Sequence, residues 1–208
     1  MSTPLTHRRP GQLPGGRHGL GRDAVRRDQR DRLLRATIDV VGTVGFAAGS
    51  VEAVISRAGV SRRTFYEHFV DREAAFLAAW DRGVEELLDV ARAAARAAED
   101  DAVGPSGPAA HAAVSGAAIA TVFEALADDP PRARVVVVEV LAAGDEALGR
   151  RAAALDRLAA AIGGPPRTGV GAAALAGGLL ELVHDRVRRG AHDELRALAP
   201  AVTALLTA

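Results

Sequence analysis

The spacing of apolar residues constrains this chain more than any other feature of its sequence. From Val25 onward, apolar residues recur three and four positions apart, which is the period of an α-helix that buries one face. One stretch, 134–141, contains four consecutive valines and fits a strand by propensity, but the sequence offers no partner strand. The spacing therefore predicts an all-α protein of about nine helices, with no sheet.

Turn signals divide the predicted helices into a small N-terminal group and a larger C-terminal group. Residues 1–22 are rich in Pro, Gly and Arg and have too few apolar residues to fold alone, so we expect a flexible basic arm there. The predicted helices lie at 23–44, between Ser50 and Gly59, between Ser61 and Asp71, from Asp71 to a linker at 100–108, and at 109–127, 131–142, 145–162, 170–189 and 192–206. We place the boundary between the two groups at residue 70.

Charge is distributed unevenly between the two groups. The 208 residues carry 26 basic and 26 acidic side chains, and every basic residue is arginine. Residues 1–72 hold 13 arginines against 7 acidic residues, a net charge of +6, which leaves −6 for the remainder. This asymmetry favours an N-terminal part that meets a polyanion. A solvated charged tail is the alternative, but the basic residues continue beyond the arm into helical segments.

Composition excludes several classes of protein. The chain has no cysteine, and hence no disulfide, thiol nucleophile or thiolate metal site. It shows no run of about 18 apolar residues and no apolar segment near its start, so we expect a cytoplasmic protein that neither spans a membrane nor is secreted. We also predict no metal site and no cofactor.

Two short helices joined by a tight turn at Gly59 form a helix-turn-helix pattern. The second of them begins with arginines, whose fork matches the acceptors of guanine, so we predict base contacts from Arg62, Arg63 and Thr64. Side chains further along, and at the starts of the neighbouring helices, are predicted to hold DNA phosphates. They are Ser50, Ser61, Tyr66, His68 and Arg72. For Ser50 and His68 a purely structural role remains an equal alternative.

The run from Ala58 to Phe69 resembles the tetracycline-repressor-like (TetR) family of transcriptional regulators. The residues that carry the resemblance read Gly-Val-Ser-x-x-Thr-Phe-Tyr-x-His-Phe, preceded by Gly45-Phe46 and followed by Asp71-Arg72-Glu73, and the similarity covers about residues 25–80. It implies a three-helix DNA-binding domain at 23–70 and a helical ligand-binding and dimerisation domain at 71–208. It also implies a homodimer on a pseudo-palindromic operator of double-stranded DNA, and repression relieved by a small ligand. The sequence departs from the family in its long basic arm, which either follows a minor groove or adds only unspecific attraction.

The C-terminal group supplies candidate residues for dimerisation and for ligand binding. Two apolar stripes on the last two helices are predicted to pair across a twofold axis; the alternative is that they cover the domain's own core. The predicted interface consists of Leu175, Leu179, Leu182, Leu195, Leu198, Val202 and Leu205. Apolar residues and a few polar ones are predicted to line a cavity for an unidentified ligand. These are Trp80, Val84, His111, Ser115, Phe123 and Glu139.

Patterns typical of enzymes are weak in this chain. The run 169–174 imitates a dinucleotide fingerprint, but prolines precede it where a strand is required. His184 and His192 lack the spacing of a metal pair. We therefore predict no catalytic residue and no enzymatic activity. Three functions remain: a ligand-released repressor, a ligand-independent DNA-binding protein, and a small-molecule binding protein without specific DNA binding.

Overall fold

The computed structural model describes residues 21–101, 107–161 and 170–207. Regular structure in these ranges is entirely helical, which confirms the predicted all-α fold. The elements in chain order are α1 (Arg22–Val44), α2 (Val51–Ala58), α3 (Arg62–His68), α4 (Arg72–Asp101), α5 (Pro108–Asp128), α6 (Pro130–Val137), a 3-10 helix (Glu139–Ala142), α7 (Asp145–Ala161), α8 (Val170–Arg189) and α9 (Asp193–Thr207). The predicted basic arm, except for its last two residues, and most of the predicted linker lie outside the described residues.

The starts of α2, α3 and α4 are each fixed by a side chain that caps the helix. Ser50 accepts a hydrogen bond from the amide of Ala53 at 3.2 Å, and Ser61 accepts one from the amide of Thr64 at 3.0 Å. Asp71 does the same for α4, whose third residue donates its amide at 2.7 Å. Gly59 closes α2 with a φ of +64°, a conformation that favours glycine. The helix starts predicted at Ser50, Ser61 and Asp71 are thus confirmed.

The single helix predicted over 131–142 is wrong, because α6 ends at Val137. The amide of Val138 still donates to the carbonyl of Arg134 at 2.9 Å, but that of Leu141 donates to Val138 at 3.1 Å, so the chain tightens from α-helical to 3-10 bonding. A run of valines contains no stop signal by which the sequence could reveal this change. The tighter turn directs Glu139 toward the loop between α1 and α2.

Helices α1, α2 and α3 pack around one apolar core. Leu33, Val54, Phe65 and Phe69 are buried in it, and the same core continues into α4 through Phe76. An aromatic ring in a well-packed core contributes several kcal/mol of stability, so these contacts fix α3 firmly on the other helices. Helix α4 runs from this N-terminal group into the C-terminal group and belongs to the core of both.

A second core lies in the C-terminal group, where α5 packs between α4 and α9. Phe123 of α5 and Leu195 of α9 are buried there. Val136 and Leu158 pack against both cores and connect them. No helix within the described ranges is long and apolar enough to cross a membrane.

Two glycines allow α6 to approach α1 and α4 closely. A Cβ atom on Gly42 of α1 would lie 2.5 Å from backbone atoms of Pro131, and one on Gly83 of α4 would lie 2.9 Å from Val136. A side chain at Gly42 would require α6 to move away, and one at Gly83 would require the side chain of Val136 to shift. Helix α6 is therefore wedged between α1 of the N-terminal group and α4.

Candidate DNA-binding surface and ligand cavity

Helix α3 presents one polar, exposed face. Phe65 is fully buried beneath it, whereas Tyr66 is 46% exposed and the side chain of Arg63 is 90% exposed. Arg62 is exposed as well, and Thr64 is half-buried at the first turn. The three side chains predicted to contact bases therefore lie together at the N-terminal turn of α3, where recognition helices make such contacts.

The two arginines of this turn have different surroundings. Among the described residues, Arg63 forms an ion pair with Glu67 of the same helix alone, at 2.9 Å, and such exposed pairs contribute little. Arg62 pairs with Glu52 of α2, and its guanidinium lies 5.8 Å from the ring centre of Tyr66. The phenol of Tyr66 and the carboxylate of Glu52 raise the pKa of the Arg62 guanidinium. Arg63 is thus the freer of the two to reach a ligand.

Ser50 and Ser61 stand at the first turns of α2 and α3 and are half-buried and exposed, respectively. Each hydroxyl already accepts a capping hydrogen bond, and that of Ser61 also lies 2.9 Å from the hydroxyl of Thr64. A capping hydroxyl retains a proton that it can donate to a phosphate. The structural role of both serines is therefore present, and their predicted phosphate contacts stay predictions.

His68 ends α3 and is half-buried. Burial lowers the pKa of its imidazole, and the positive charges of Arg26 and Arg30 lower it further. The ring lies 6.3 Å from that of Phe69. His68 is thus an imidazole held close to two cationic groups of a neighbouring helix.

Arg72, at the start of α4, holds the loop between α1 and α2. Its Nη1 donates to the carbonyls of Phe46 at 2.5 Å and Gly49 at 2.7 Å, and its guanidinium lies 4.5 Å from the ring centre of Phe46. Hydrogen bonds from a charged group to buried carbonyls are among the stronger ones in proteins. The structure thus adds a positioning role, while the predicted phosphate contact of Arg72 stays a prediction.

Glu139, predicted as a ligand contact, is not among the residues that line the cavity described below. Its carboxylate, only 8% exposed, accepts the amide of Phe46 at 2.7 Å and Nε of Arg134 at 2.8 Å. A buried carboxylate requires such partners, and here they come from the loop before α2 and from α6. Glu139 therefore joins the C-terminal group to the same loop that Arg72 holds.

A cavity of about 130 Å³ lies among five helices of the C-terminal group. Three predicted residues line it, namely Trp80, Val84 and Phe123. The remaining lining residues are Leu87, Leu88, Val122, Leu126, Val136, Val137, Arg151, Ala154, Leu155, Leu158, Leu179, Leu180 and Val183. Of the other two predicted polar residues, Ser115 is buried elsewhere on α5, and the side chain of His111 lies outside the described residues.

Sequence reasoning missed the contributions of α7 to this cavity. Ala154, Leu155 and Leu158 follow a helical spacing that the sequence shows, but the same spacing is typical of any core-facing helix. Arg151 is the charged residue of the lining. The cavity wall is otherwise apolar, and the indole of Trp80 donates to the carbonyl of Val136 at 3.2 Å.

The predicted dimer stripe of α9 faces the chain's own core. Leu195 and Val202 are buried against α5, and Leu179 and Leu198 pack partly against the same core. An apolar stripe cannot itself specify which surface covers it, and for Leu195 and Val202 that surface is the chain's own core. Leu182 of α8 is 43% exposed. The side chains of Leu175 and Leu205 lie outside the described residues.

Comparison with known proteins agrees with this geometry. Residues 33–79 match the family model of "Bacterial regulatory proteins, tetR family", a range that contains α2, α3 and the start of α4. Among curated proteins, the "HTH-type transcriptional activator FasR" of Mycolicibacterium smegmatis is 32% identical over 94 residues, which make up 45% of this chain and 43% of that protein. The chain thus spans less than half the length of this relative.

Solved structures share the fold over nearly their whole length. The fatty acid degradation regulator FadR from Bacillus halodurans superposes with a TM-score of 0.66 at 20% identity, covering 85% of this chain and 97% of that one. FadR from Bacillus subtilis, solved in complex with stearoyl-CoA, gives a TM-score of 0.63 at 16% identity, covering 86% and 97%. At these identities the likeness establishes the fold. Residues 33–79 therefore match the helix-turn-helix region of the tetR family of bacterial regulatory proteins, and the chain shares the fold of solved regulators.

Proposed function

We propose that the protein is a homodimeric, sequence-specific DNA-binding transcription regulator that leaves its operator when a small-molecule ligand binds. One observation carries the proposal: α3 exposes Arg62, Arg63 and Tyr66 while Phe65 and Phe69 hold it on the N-terminal core. A helix so held can enter a major groove with its first turn toward the base edges. Arg63, Arg62 and Thr64 then read bases, and Ser50, Ser61, Tyr66, His68 and Arg72 contact phosphates.

The cavity favours a ligand with an apolar body and an anionic end. Its lining is apolar except for Arg151, whose guanidinium suits a carboxylate or phosphate. FadR from Bacillus subtilis, which shares the fold, was solved with stearoyl-CoA. A long-chain acyl compound is therefore the proposed ligand class, and stearoyl-CoA is a suitable first probe.

The size of the cavity supports a mechanism for release. Its volume of about 130 Å³ is below the roughly 300–1,000 Å³ that ligand sites usually offer. A long-chain ligand must therefore push the walls apart, and it will favour the state in which they are already apart. Val136 and Val137 of α6 belong to these walls, so expansion displaces α6.

Two connections carry such a displacement to the DNA-binding helices. Helix α4 is one, since Trp80 and Val84 line the cavity and Arg72 at its start holds the loop before α2. Helix α6 is the other, since it contacts α1 at Gly42. Directly after it, Glu139 accepts the amide of Phe46 from the same loop. Movement of either helix changes how α2 and α3 are held, and in a dimer it alters the spacing of two such units.

The outward faces of α8 and α9 suit a homodimer better than the stripe predicted from sequence. Small and apolar residues are exposed there at helical spacing, and a Cβ on Gly177 or Gly178 would meet no atom within 4 Å. These exposed residues are Gly177, Gly178, Leu182, Ala197, Pro200, Ala201 and Ala204. Pairing two copies through this face forms a four-helix bundle about a twofold axis.

Activation is a second candidate for the direction of regulation. The relative FasR is named a transcriptional activator, and its match to this chain includes less than half of its length. A regulator's sign depends on where its site lies relative to the promoter. A reporter carrying the selected site upstream of, or within, a promoter separates activation from repression.

Selection of bound sites from a random duplex pool tests the proposal, using the full-length protein at near-physiological salt. We expect enrichment of an inverted repeat with half-sites one helical turn apart, or a multiple of it. Absence of any enriched motif with a well-folded protein would contradict specific DNA binding and favour a small-molecule binding protein. An enriched site that no acyl compound releases would favour the ligand-independent DNA-binding protein.

A further inference from the structure

We propose that Arg26 and Arg30 of α1, together with His68 of α3, form a binding site for a phosphate of the DNA backbone. The site lies at the opposite end of α3 from the base-reading turn, and it adds α1 to the DNA-binding surface. This inference rests on the proposed function and extends the contact area beyond the helix-turn-helix itself.

The geometry brings three cationic or ionisable groups to the last turn of α3. Arg26 donates from Nη2 toward the carbonyl of Glu67 at 3.5 Å, and the guanidinium carbon of Arg30 lies 4.7 Å from the ring centre of Phe69. The two arginines are four residues apart, one turn of α1, and both are exposed. His68 lies between the residues that they contact.

Three of the acidic residues nearby are already paired with other arginines. Asp28 pairs with Arg32 at 3.0 Å, and Asp31 pairs with Arg82 at 2.6 Å. Glu67, the carboxylate next to the cluster, pairs with Arg63 at 2.9 Å. Within the described part of the chain, Arg26 and Arg30 form no ion pair of their own, so their charges remain available to an anion.

The electrostatics of His68 agree with this arrangement. The charges of Arg26 and Arg30 both lower the pKa of its imidazole, after burial, and Glu67 opposes them. Two guanidinium groups therefore concentrate positive potential at the end of α3. A phosphate bound there would relieve this repulsion while it accepts several hydrogen bonds from the forked guanidinium groups.

The position of the cluster identifies the DNA backbone as its ligand. Bases are read from the first turn of a recognition helix, and the backbone passes the flanking parts of the domain. Arg26 and Arg30 lie one turn apart on the same side of α1. In this position they would contact no base but would neutralise charge on the DNA backbone. Each neutralised phosphate adds about 0.9 to the slope of log affinity against log salt for B-DNA.

The test compares salt dependence for full-length protein on its selected site. We expect the double variant Arg26→Gln/Arg30→Gln to reduce the slope by up to about 1.8, and to weaken selected and random duplexes alike. The matched control is Arg92→Gln/Arg96→Gln, which removes two arginines at the same spacing from α4, about 30 Å along that helix from Arg72. The control should leave the slope unchanged. Circular dichroism and thermal unfolding verify that both variants fold.

Neutral methylphosphonate linkages identify the partner group. One such linkage at the contacted phosphate should lower the DNA affinity of the wild type. It should have little further effect on the affinity of the double variant, because the neutral linkage and the substitutions remove the same contact. An unchanged salt slope in a folded double variant, or additive losses at every linkage, would overturn the inference. Failure of the wild type to bind any duplex would instead overturn the proposed function.

Discussion

The recognition face of α3 and the cavity differ in how many parts of the chain build them. The recognition face is formed by one helix of seven residues, Arg62–His68, with its polar side chains exposed above a buried Phe65. The cavity is lined by five helices, and each supplies only a few apolar side chains. A displacement of one helix therefore deforms the cavity but carries the recognition face along intact. In this molecule the cavity is suited to sense a ligand, and α3 is suited to move as a unit.

Removal of the ring beneath the recognition face should have the largest effect. Phe65→Ala deletes a fully buried aromatic side chain and is expected to lower the free energy of unfolding by about 3–5 kcal/mol. Urea unfolding measures the loss. Val70→Ala is the control, because Val70 is 82% exposed and should change stability by less than about 0.5 kcal/mol. Similar losses in both variants would show that α3 is not held by this core.

Substitution at the base-reading turn should separate specificity from general affinity. Arg63→Ala is expected to weaken the selected site by about 1–3 kcal/mol relative to random DNA, because Arg63 is free to pair with a guanine. Arg72→Ala should weaken both DNAs alike and also lower stability, because the carbonyls of Phe46, Ala47 and Gly49 lose their donor. Equal losses on both DNAs for Arg63→Ala would remove its assigned role.

Filling the cavity should affect ligand binding and spare DNA binding. Ala154→Leu adds apolar volume at the cavity wall and is expected to weaken stearoyl-CoA binding about tenfold or more. Isothermal titration and a DNA-binding assay measure the two affinities separately. Ala152→Leu changes an exposed position of the same helix and serves as the control. Unchanged ligand affinity in Ala154→Leu would place the ligand elsewhere.

Loss of the Glu139 charge should weaken the coupling between the two regions. Glu139→Gln keeps an acceptor for the amide of Phe46 but loses its ion pair with Arg134. We expect the effect of stearoyl-CoA on DNA affinity to fall by about 0.5–2 kcal/mol, with ligand binding itself retained. Glu124→Gln, at an exposed position of α5, is the control. If stearoyl-CoA changed the DNA affinity of Glu139→Gln as much as that of the wild type, α4 alone would connect the cavity to the DNA-binding helices.

The smallest expected effect is the pH dependence that comes from His68. Because the pKa of His68 is lowered in the folded protein, the unfolded chain binds more protons as pH falls through its ordinary value near 6.5. Acidification should therefore destabilise the wild-type protein in the absence of DNA, and it should destabilise the His68→Gln variant less. A bound phosphate favours the charged imidazole, so DNA affinity should rise over the same range in the wild type. Identical pH profiles for wild type and variant would exclude this contribution.

The N-terminal helices could be predicted because the features that define them are local. Ser50, Ser61 and Asp71 each cap a helix three residues away, and Gly59 ends α2 where a left-handed residue is needed. The exposed face of α3 follows from the spacing of Phe65 and Phe69 alone.

The contacts that could not be predicted from the sequence join residues far apart in the chain. Arg72 binds carbonyls 23 and 26 residues earlier, and Glu139 binds an amide 93 residues away. Nothing in their local pattern distinguishes such partners from a ligand or from DNA. Likewise, the stripe containing Leu195 shows that a surface is covered, but only the packing of α5 against α9 shows by what.

The most direct test of the account measures the affinity of the full-length protein for its selected site with and without saturating stearoyl-CoA. We expect the ligand to bind and to weaken operator affinity by roughly 5–150-fold, the usual range of allosteric coupling. By linkage, saturating operator DNA should weaken ligand binding by the same factor. Saturated ligand binding with an unchanged operator affinity would contradict the claim that the cavity controls α3.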